Sequence, residues 1–568
     1  MFRSSLRHRE CSASDFLGSS CKKASSSTKH VLAIFLLVNI VGGNEIETSK
    51  TVEVDPSSGT VWPKPQVLKT SARQYIIDSS TFKFRLASEV SKCDILAEAL
   101  KRYRQLFFLP DCPSQRCQPD VDSWNSPPAE TLTQLQIHMT TCEVQPHLNM
   151  DERYIIQLSA SQPDARLVAN TTWGILRGLE TFSQLIRTVN DTHFLISATY
   201  IEDFPRFPHR GLLIDSSRHF LPLRTIVQTL DAMAYNKMNV LHWHIVDDQS
   251  FPYVSSRFPA MSEKGAYDPR THMYSPKDVR YVIQEAALRG IRVIAEFDTP
   301  GHTQSWGKAY PSLLTTCYDG GRPTGTYGPI DPSRKENYVF LQRFFQEAAQ
   351  VFPDKYIHLG GDEVSFDCWR SNPNITAFMK QQGMEGNYNQ LEQFYVQKVV
   401  NLVETLQKSY FVWQEVFDNG VQLAEESIIH VWKEPHEDEM WQVTSQGFRV
   451  LLSSCWYLDY ISYGADWKKY YLCDPQEFHG SPQQNSLVMG GEACIWGEYV
   501  DASNLISRTW PRASAVAERL WSPASASDVD EATPRFKNLR CLMLKRGLTP
   551  EPQEGPGFCP CDYVVKHP

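Results

Sequence analysis

Residues 239–248 read Asn-Val-Leu-His-Trp-His-Ile-Val-Asp-Asp. The run is β-branched, aromatic and apolar until it meets two carboxylates. A short apolar run without helical length predicts a strand buried on both faces, as in a parallel sheet. The same pattern recurs at 211–215, 291–297, 356–359, 410–414, 428–432, 449–455 and 488–495, which with 239–246 makes eight strands. Amphipathic helical periodicity fills most gaps, at 223–236, 277–289, 336–350, 389–406 and 504–519. Strands alternating with helices over this length predict an α/β fold of the (β/α)₈ barrel type. Two connections break the rhythm: 415–427 is short for a crossover helix, and 456–487 reads as a long loop. Either one or two helices are degenerate or one strand is misassigned.

The residues that follow the strands separate a barrel from an open sheet. Arg218, Asp247-Asp248, Asp298 with His302, Asp362-Glu363, Trp413, Trp432, Trp456-Tyr457 and Trp496 with Glu498 stand at or just past successive C-terminal ends. A barrel brings these ends together on one face, where catalytic groups sit. An open sheet would spread them along an edge.

Outward from the barrel, 205–568 forms the expected catalytic unit, entered through the stiff Phe204-Pro-Arg-Phe-Pro208. Residues 61–204 mix helices at 95–108 and 172–187 with strands at 133–139 and 154–158, a small α+β domain. Residues 44–60 are polar and read as a mobile segment. The apolar run at 31–41, preceded by Lys22, Lys23 and Lys29, is too short to span a bilayer. It marks 1–43 as a signal peptide or signal anchor. Twelve of the 14 cysteines lie beyond Gly43, an even number that suits an oxidising compartment. Sequons at Asn170, Asn190 and Asn374 agree with export. These features predict a protein of the secretory pathway, lysosomal or extracellular. A net charge of −9 excludes non-specific nucleic-acid binding, which needs a basic face.

The sharpest chemical motif is His358-Leu-Gly-Gly-Asp-Glu363. Adjacent side chains on a strand point to opposite faces, so both carboxylates reach one pocket only from a turn, which the glycines allow. Two carboxyls in one apolar site do not both ionise readily, and a raised carboxyl suits a glycosidase acid. His242-Trp-His244 suggests a metal hydrolase. Alternation, however, points both rings to one face within the strand rather than at its end. No complete ligand set accompanies them, so no metal or other cofactor is expected.

The ordered motifs Phe207-Pro-His-Arg-Gly, Ser217-Arg-His219, Leu241 to Asp248, Glu296-Phe-Asp-Thr-Pro-Gly-His302, His358 to Glu363 and Gly491-Glu-Ala-Cys-Ile-Trp-Gly-Glu498 resemble the β-N-acetylhexosaminidases of glycoside hydrolase family 20. The resemblance covers about 60–560 and is greatest to the animal lysosomal subunits. It implies an exo-acting retaining glycosidase in which the substrate's own 2-acetamido oxygen attacks C1. By this resemblance Glu363 is the general acid and base, Asp362 orients the acetamido group and Tyr457 hydrogen-bonds its oxygen. Trp413, Trp432 and Trp496 wall the pocket. Arg218, Asp459 and Glu498 hold the outer hydroxyls, and Asp247 and His302 support the acid. Arg218 also suits a plain ion pair with Asp215 or Asp247. The resemblance further implies bridges Cys93–Cys142, Cys317–Cys368 and Cys541–Cys559, and a homodimer acting on glycans. Cys112 and Cys117 suit a small extra loop. Cys455 and Cys494 read as buried thiols, and Cys473 and Cys561 have no evident partner. A non-catalytic carbohydrate-binding protein on the same scaffold is the alternative. The presence of Asp362, Glu363 and Tyr457 together argues against it.

Overall fold

The computed structural model describes residues 61–87, 92–109 and 130–560. Eight parallel strands close into a barrel: β1 (His209–Asp215), β2 (Val240–His244), β3 (Arg292–Glu296), β4 (Tyr356–His358), β5 (Ser409–Trp413), β6 (Ile428–Val431), β7 (Arg449–Leu452) and β8 (Val488–Ile495). They pair in chain order, and β8 returns to β1 with Ile495 opposite Ile214. All eight expected strands are present, so neither irregular connection reflects a misassigned strand.

The two-residue period of the strands builds the barrel interior in layers. Val240, Ile294, Tyr356, Phe411 and Ile428 fill its N-terminal end with apolar bulk. Two residues on, the same strands present His242, Glu296, His358, Trp413 and His430, all buried. The barrel is therefore oily at one end and charged at the end that faces the long loops. The alternate residues, among them Leu241, Val293, Ile357, Val412 and Ile429, point outward into the apolar layer beneath the helices.

The irregular connections are degenerate helices. Only Gln414–Asp418 follows β5, and Trp467–Leu472 and Pro482–Asn485 lie within 456–487. The expected helix 504–519 is two pieces, Leu505–Thr509 and Arg512–Trp521. Pro511, which lacks the amide proton a continuous helix needs, stands between them. A terminal helix, Val529–Lys545, was not among the expected elements; Pro534 in its second turn interrupts the periodicity that would announce it.

The N-terminal part is a sheet in the order 67–78, 193–203, 154–158, 165–171, 134–141 and 83–86, with Arg187–Thr188 paired to 193–203. Helices Asp94–Phe107 and Thr172–Leu185 pack on it. It is locked to the barrel by buried ion pairs. Glu152 accepts from Arg177 at 2.8 Å and from Arg210 of β1 at 2.6 Å. Asp203 accepts from Lys237 at 2.8 Å and from the Trp521 indole at 3.0 Å.

Disulfides join Cys93–Cys142, Cys317–Cys368, Cys455–Cys473 and Cys541–Cys559. The third corrects the reading of Cys455 as a buried thiol. Strand β7 ends at Leu452, and Cys455 stands in the 3₁₀ turn Ser454–Trp456, which aims it at the following loop. Cys494 is a buried free thiol. Asn170, Asn190 and Asn374 are exposed. The apolar run at 31–41 and Cys112, Cys117 and Cys561 lie outside the described residues. Among the described residues no helix is long and apolar enough to cross a membrane.

Candidate active site

The turn after β4 sets the two adjacent carboxyls. Gly360 and Gly361 take φ of +66° and +97°, and Glu363 itself takes +51°. A Cβ on Gly360 would lie 1.8 Å from Asp298 Oδ1, so glycine serves both the turn and the approach of β3's loop. The Gly361 amide donates to Asp298 Oδ1 at 2.7 Å. The turn sends the two side chains to different surroundings. Asp362 is buried, whereas the Glu363 side chain is 60% exposed to the pocket mouth.

Burial pushes the Asp362 carboxyl up to about 6, against the pull of the His302 imidazole. Asp298, wholly buried and beside Asp362, is pushed up as well by burial and by its neighbour's charge. Burial thus raises both Asp362 and Asp298. His302 faces both acids, 3.7 Å from Asp362 Oδ2 and 3.8 Å from Glu363 Oε2. Its other nitrogen lies 3.2 Å from Asp247 Oδ1.

Four aromatic rings build a box beside these acids. Trp432 stacks on Tyr457 with centroids 6.1 Å apart. Trp496 lies 6.4 Å from Tyr457 and 6.2 Å from Trp413. Two of the three indoles are held by carboxylates: Trp413 Nε1 donates to Glu296 at 2.8 Å, and Trp432 Nε1 to Glu415 at 2.9 Å. Rings fixed in this way present rigid apolar faces to a pyranose.

Arg218 closes one side. It bonds Asp215 and Asp247, each at 2.9 Å, and reaches Glu498 at 3.9 Å. The ion pair and the pocket are therefore one arrangement: two buried carboxylates aim the guanidinium, whose carbon lies 5.1 Å from the Trp496 ring centre. Asp459 stands nearby, pushed up to about 6 by burial and by Glu498. Its Oδ1 has no hydrogen-bond partner among the described residues.

Every candidate site residue thus falls at the C-terminal end of the barrel. Sequence reasoning set His242 and His244 aside and left Glu296, Asp298 and Glu415 without a role. Glu296 occupies the last residue of β3, and this position was the available signal. His242 and His244 do point inward, where carboxylates take them: Glu492 and Glu296 for the first, Glu296 and Asp247 for the second.

Comparison with known proteins agrees with this architecture. The model of the glycosyl hydrolase family 20 catalytic domain matches residues 207–524, and a beta-acetyl hexosaminidase-like model matches 61–185. The chain is 49% identical to the beta-hexosaminidase subunit alpha of Bos taurus over 511 residues, covering 89% of this chain and 95% of that one. It is 49% identical to the subunit beta of Felis catus, with the same coverage. The solved chitobiase of Flavobacterium johnsoniae superposes with a TM-score of 0.74 at 28% identity, covering 88% of this chain and 74% of that one. The strand-end carboxyls, the aromatic box and these matches agree: the chain belongs to glycosyl hydrolase family 20 and is a glycoside hydrolase.

Proposed function

We propose that this enzyme removes single terminal β-linked N-acetylglucosamine and N-acetylgalactosamine residues from the non-reducing ends of glycans, with retention, by substrate-assisted catalysis. One observation carries the reading. A buried carboxyl, Asp362, and an exposed one, Glu363, stand side by side at the mouth of an aromatic box. A retaining enzyme with its own nucleophile needs two carboxyls on opposite sides of the anomeric carbon, about 5 Å apart. Adjacent residues on one turn suit a division of labour on one side.

In this reading the acetamido oxygen attacks C1 while the C1–O bond breaks. Glu363 gives its proton to the departing oxygen. Asp362 accepts the acetamido N–H and balances the oxazolinium charge in a site walled by Trp413, Trp432 and Trp496. Tyr457 holds the acetamido oxygen. Water then attacks C1 and passes its proton to Glu363 as the oxazoline ring opens. Arg218, Asp459 and Glu498 bond the outer hydroxyls and leave no room beyond the terminal sugar, which makes the action exo. Asp247 and His302 hold the acid in place.

Glu363→Gln tests the assignment. It is expected to lower kcat by about 10² to 10⁴ with substrate still bound; near-normal turnover in the folded variant removes Glu363 from this role. The exported features of the sequence support a secretory-pathway enzyme, lysosomal or extracellular. Exposed aromatic and aliphatic side chains at the barrel mouth, among them Tyr463 and Tyr499, support a homodimer.

A further inference from the structure

Imidazole chemistry fixes the charge of His244, one of the histidines inside the barrel. A neutral ring donates from one nitrogen and accepts at the other, and only the imidazolium donates from both. His244 lies between two carboxylates, with Nδ1 2.7 Å from Glu296 Oε2 and Nε2 2.8 Å from Asp247 Oδ2. His242 Nδ1 is hydrogen-bonded to Glu492 at 2.8 Å, and its Nε2 stands 3.0 Å from Glu296 without the alignment of a hydrogen bond. All of these groups are buried, so water does not screen them. Carboxylate and imidazole therefore alternate up the barrel, from Glu492 through His242 to Glu296. The sequence continues through His244 to Asp247, and from there His302 meets the two catalytic carboxyls.

Glu296 is the branch point of this ladder. Its Oε1 accepts the Trp413 indole proton at 2.8 Å and faces His358 at 3.2 Å, while its Oε2 takes His242 and His244. We propose that Glu296 is a positioning residue for the hydrolysis: one oxygen seats the Trp413 pocket wall, and the other, through His244 and Asp247, aims His302 at Asp362 and Glu363. The proposal rests on the reading of the site given above. Charge agrees with geometry. Burial alone would strip the proton from His244, yet Glu296 and Asp247 hold its pKa up to about 10. His302, overcoming its own burial, is held up to about 11 by Asp362, Asp247 and Asp298.

The test compares Glu296→Gln and Glu296→Ala with His244→Gln in the full chain, on a 4-nitrophenyl N-acetyl-β-glucosaminide. Glu296→Gln keeps an oxygen that can accept from Trp413 but loses the charge that holds His244, so it is expected to lower kcat at least about tenfold with KM little changed, whereas Glu296→Ala removes both arms and is expected to raise KM severalfold as well. His244→Gln leaves the acceptor for Trp413 in place. It is expected to lower kcat by a similar factor with KM within about twofold of the unsubstituted enzyme. Folded variants with unchanged kcat overturn the proposal, and so does an equal rise of KM in Glu296→Ala and His244→Gln. A second readout needs neither folding of a variant nor turnover. With ¹⁵N-labelled histidine, both ring nitrogens of His244 are expected to carry protons at pH 8; a neutral tautomer there contradicts the ladder. An inactive unsubstituted enzyme with a doubly protonated His244 counts against the proposed reaction and leaves the ladder standing.

Discussion

At the scale of single residues, Asp459 sets the most specific expectation. The resemblance places it near the sugar's 6-position, followed by the uncharged Tyr460. A carboxylate accepts a bond from a neutral 6-hydroxyl and repels a 6-sulfate. Two unit charges about 4 Å apart cost roughly 4 kcal/mol at an effective dielectric near 20, and a third of that gives about tenfold discrimination. The pKa of about 6 adds a direction. Above pH 6 the group is charged and the discrimination is full; as pH falls through 6 it gains a proton and the repulsion fades. The ratio of kcat/KM on the neutral and 6-sulfated aryl glycosides is therefore expected to exceed about tenfold at pH 7 and to shrink at pH 5. Equal values at pH 7 contradict the argument, as does an Asp459→Asn, Tyr460→Arg variant with no gain on the sulfated substrate.

At the scale of elements, the turn after β4 is the decisive piece. Gly360→Ala forces a Cβ into the space of Asp298 Oδ1 and onto a φ of +66°. Misplacing the acids by about 1 Å is enough to lower the rate about 10²-fold. The expected outcome is a drop in kcat of that order in a variant that still folds, read by steady-state kinetics and circular dichroism. Full activity in Gly360→Ala would mean that the turn does not set the geometry.

The elements also show what the sequence makes legible. Strand ends could be read because each buried run stops at a polar or aromatic residue, and a barrel gathers those residues. The glycines before Asp362 announced a turn. Interior partners were hidden because one histidine or glutamate inside an apolar run carries no sign of what it faces. Glu296 and His244 gain meaning only when β2 and β3 lie side by side in register. Cys455 was misread for a related reason: the strand ends three residues earlier than its apolar pattern, and the turn redirects the thiol toward Cys473.

At the scale of the whole molecule, the N-terminal sheet acts as a brace. Its buried ion pairs with β1 and with Lys237 fix the base of the barrel opposite the pocket. In the loops after β7 and β8, Ile461, Tyr463 and Tyr499 are each more than 80% accessible. A homodimer is expected by light scattering at micromolar concentration, and a monomer there counts against it.

The central claim is that the substrate's acetamide, held by Asp362 and Tyr457, serves as the nucleophile. A thiazoline that mimics the cyclised acetamide tests it directly, because a site built for that intermediate binds its mimic better than the product. The inhibition constant of the N-acetylglucosamine thiazoline is predicted to be at least about tenfold below that of N-acetylglucosamine. Equal or weaker inhibition by the thiazoline would contradict the account and point to a nucleophile supplied by the enzyme.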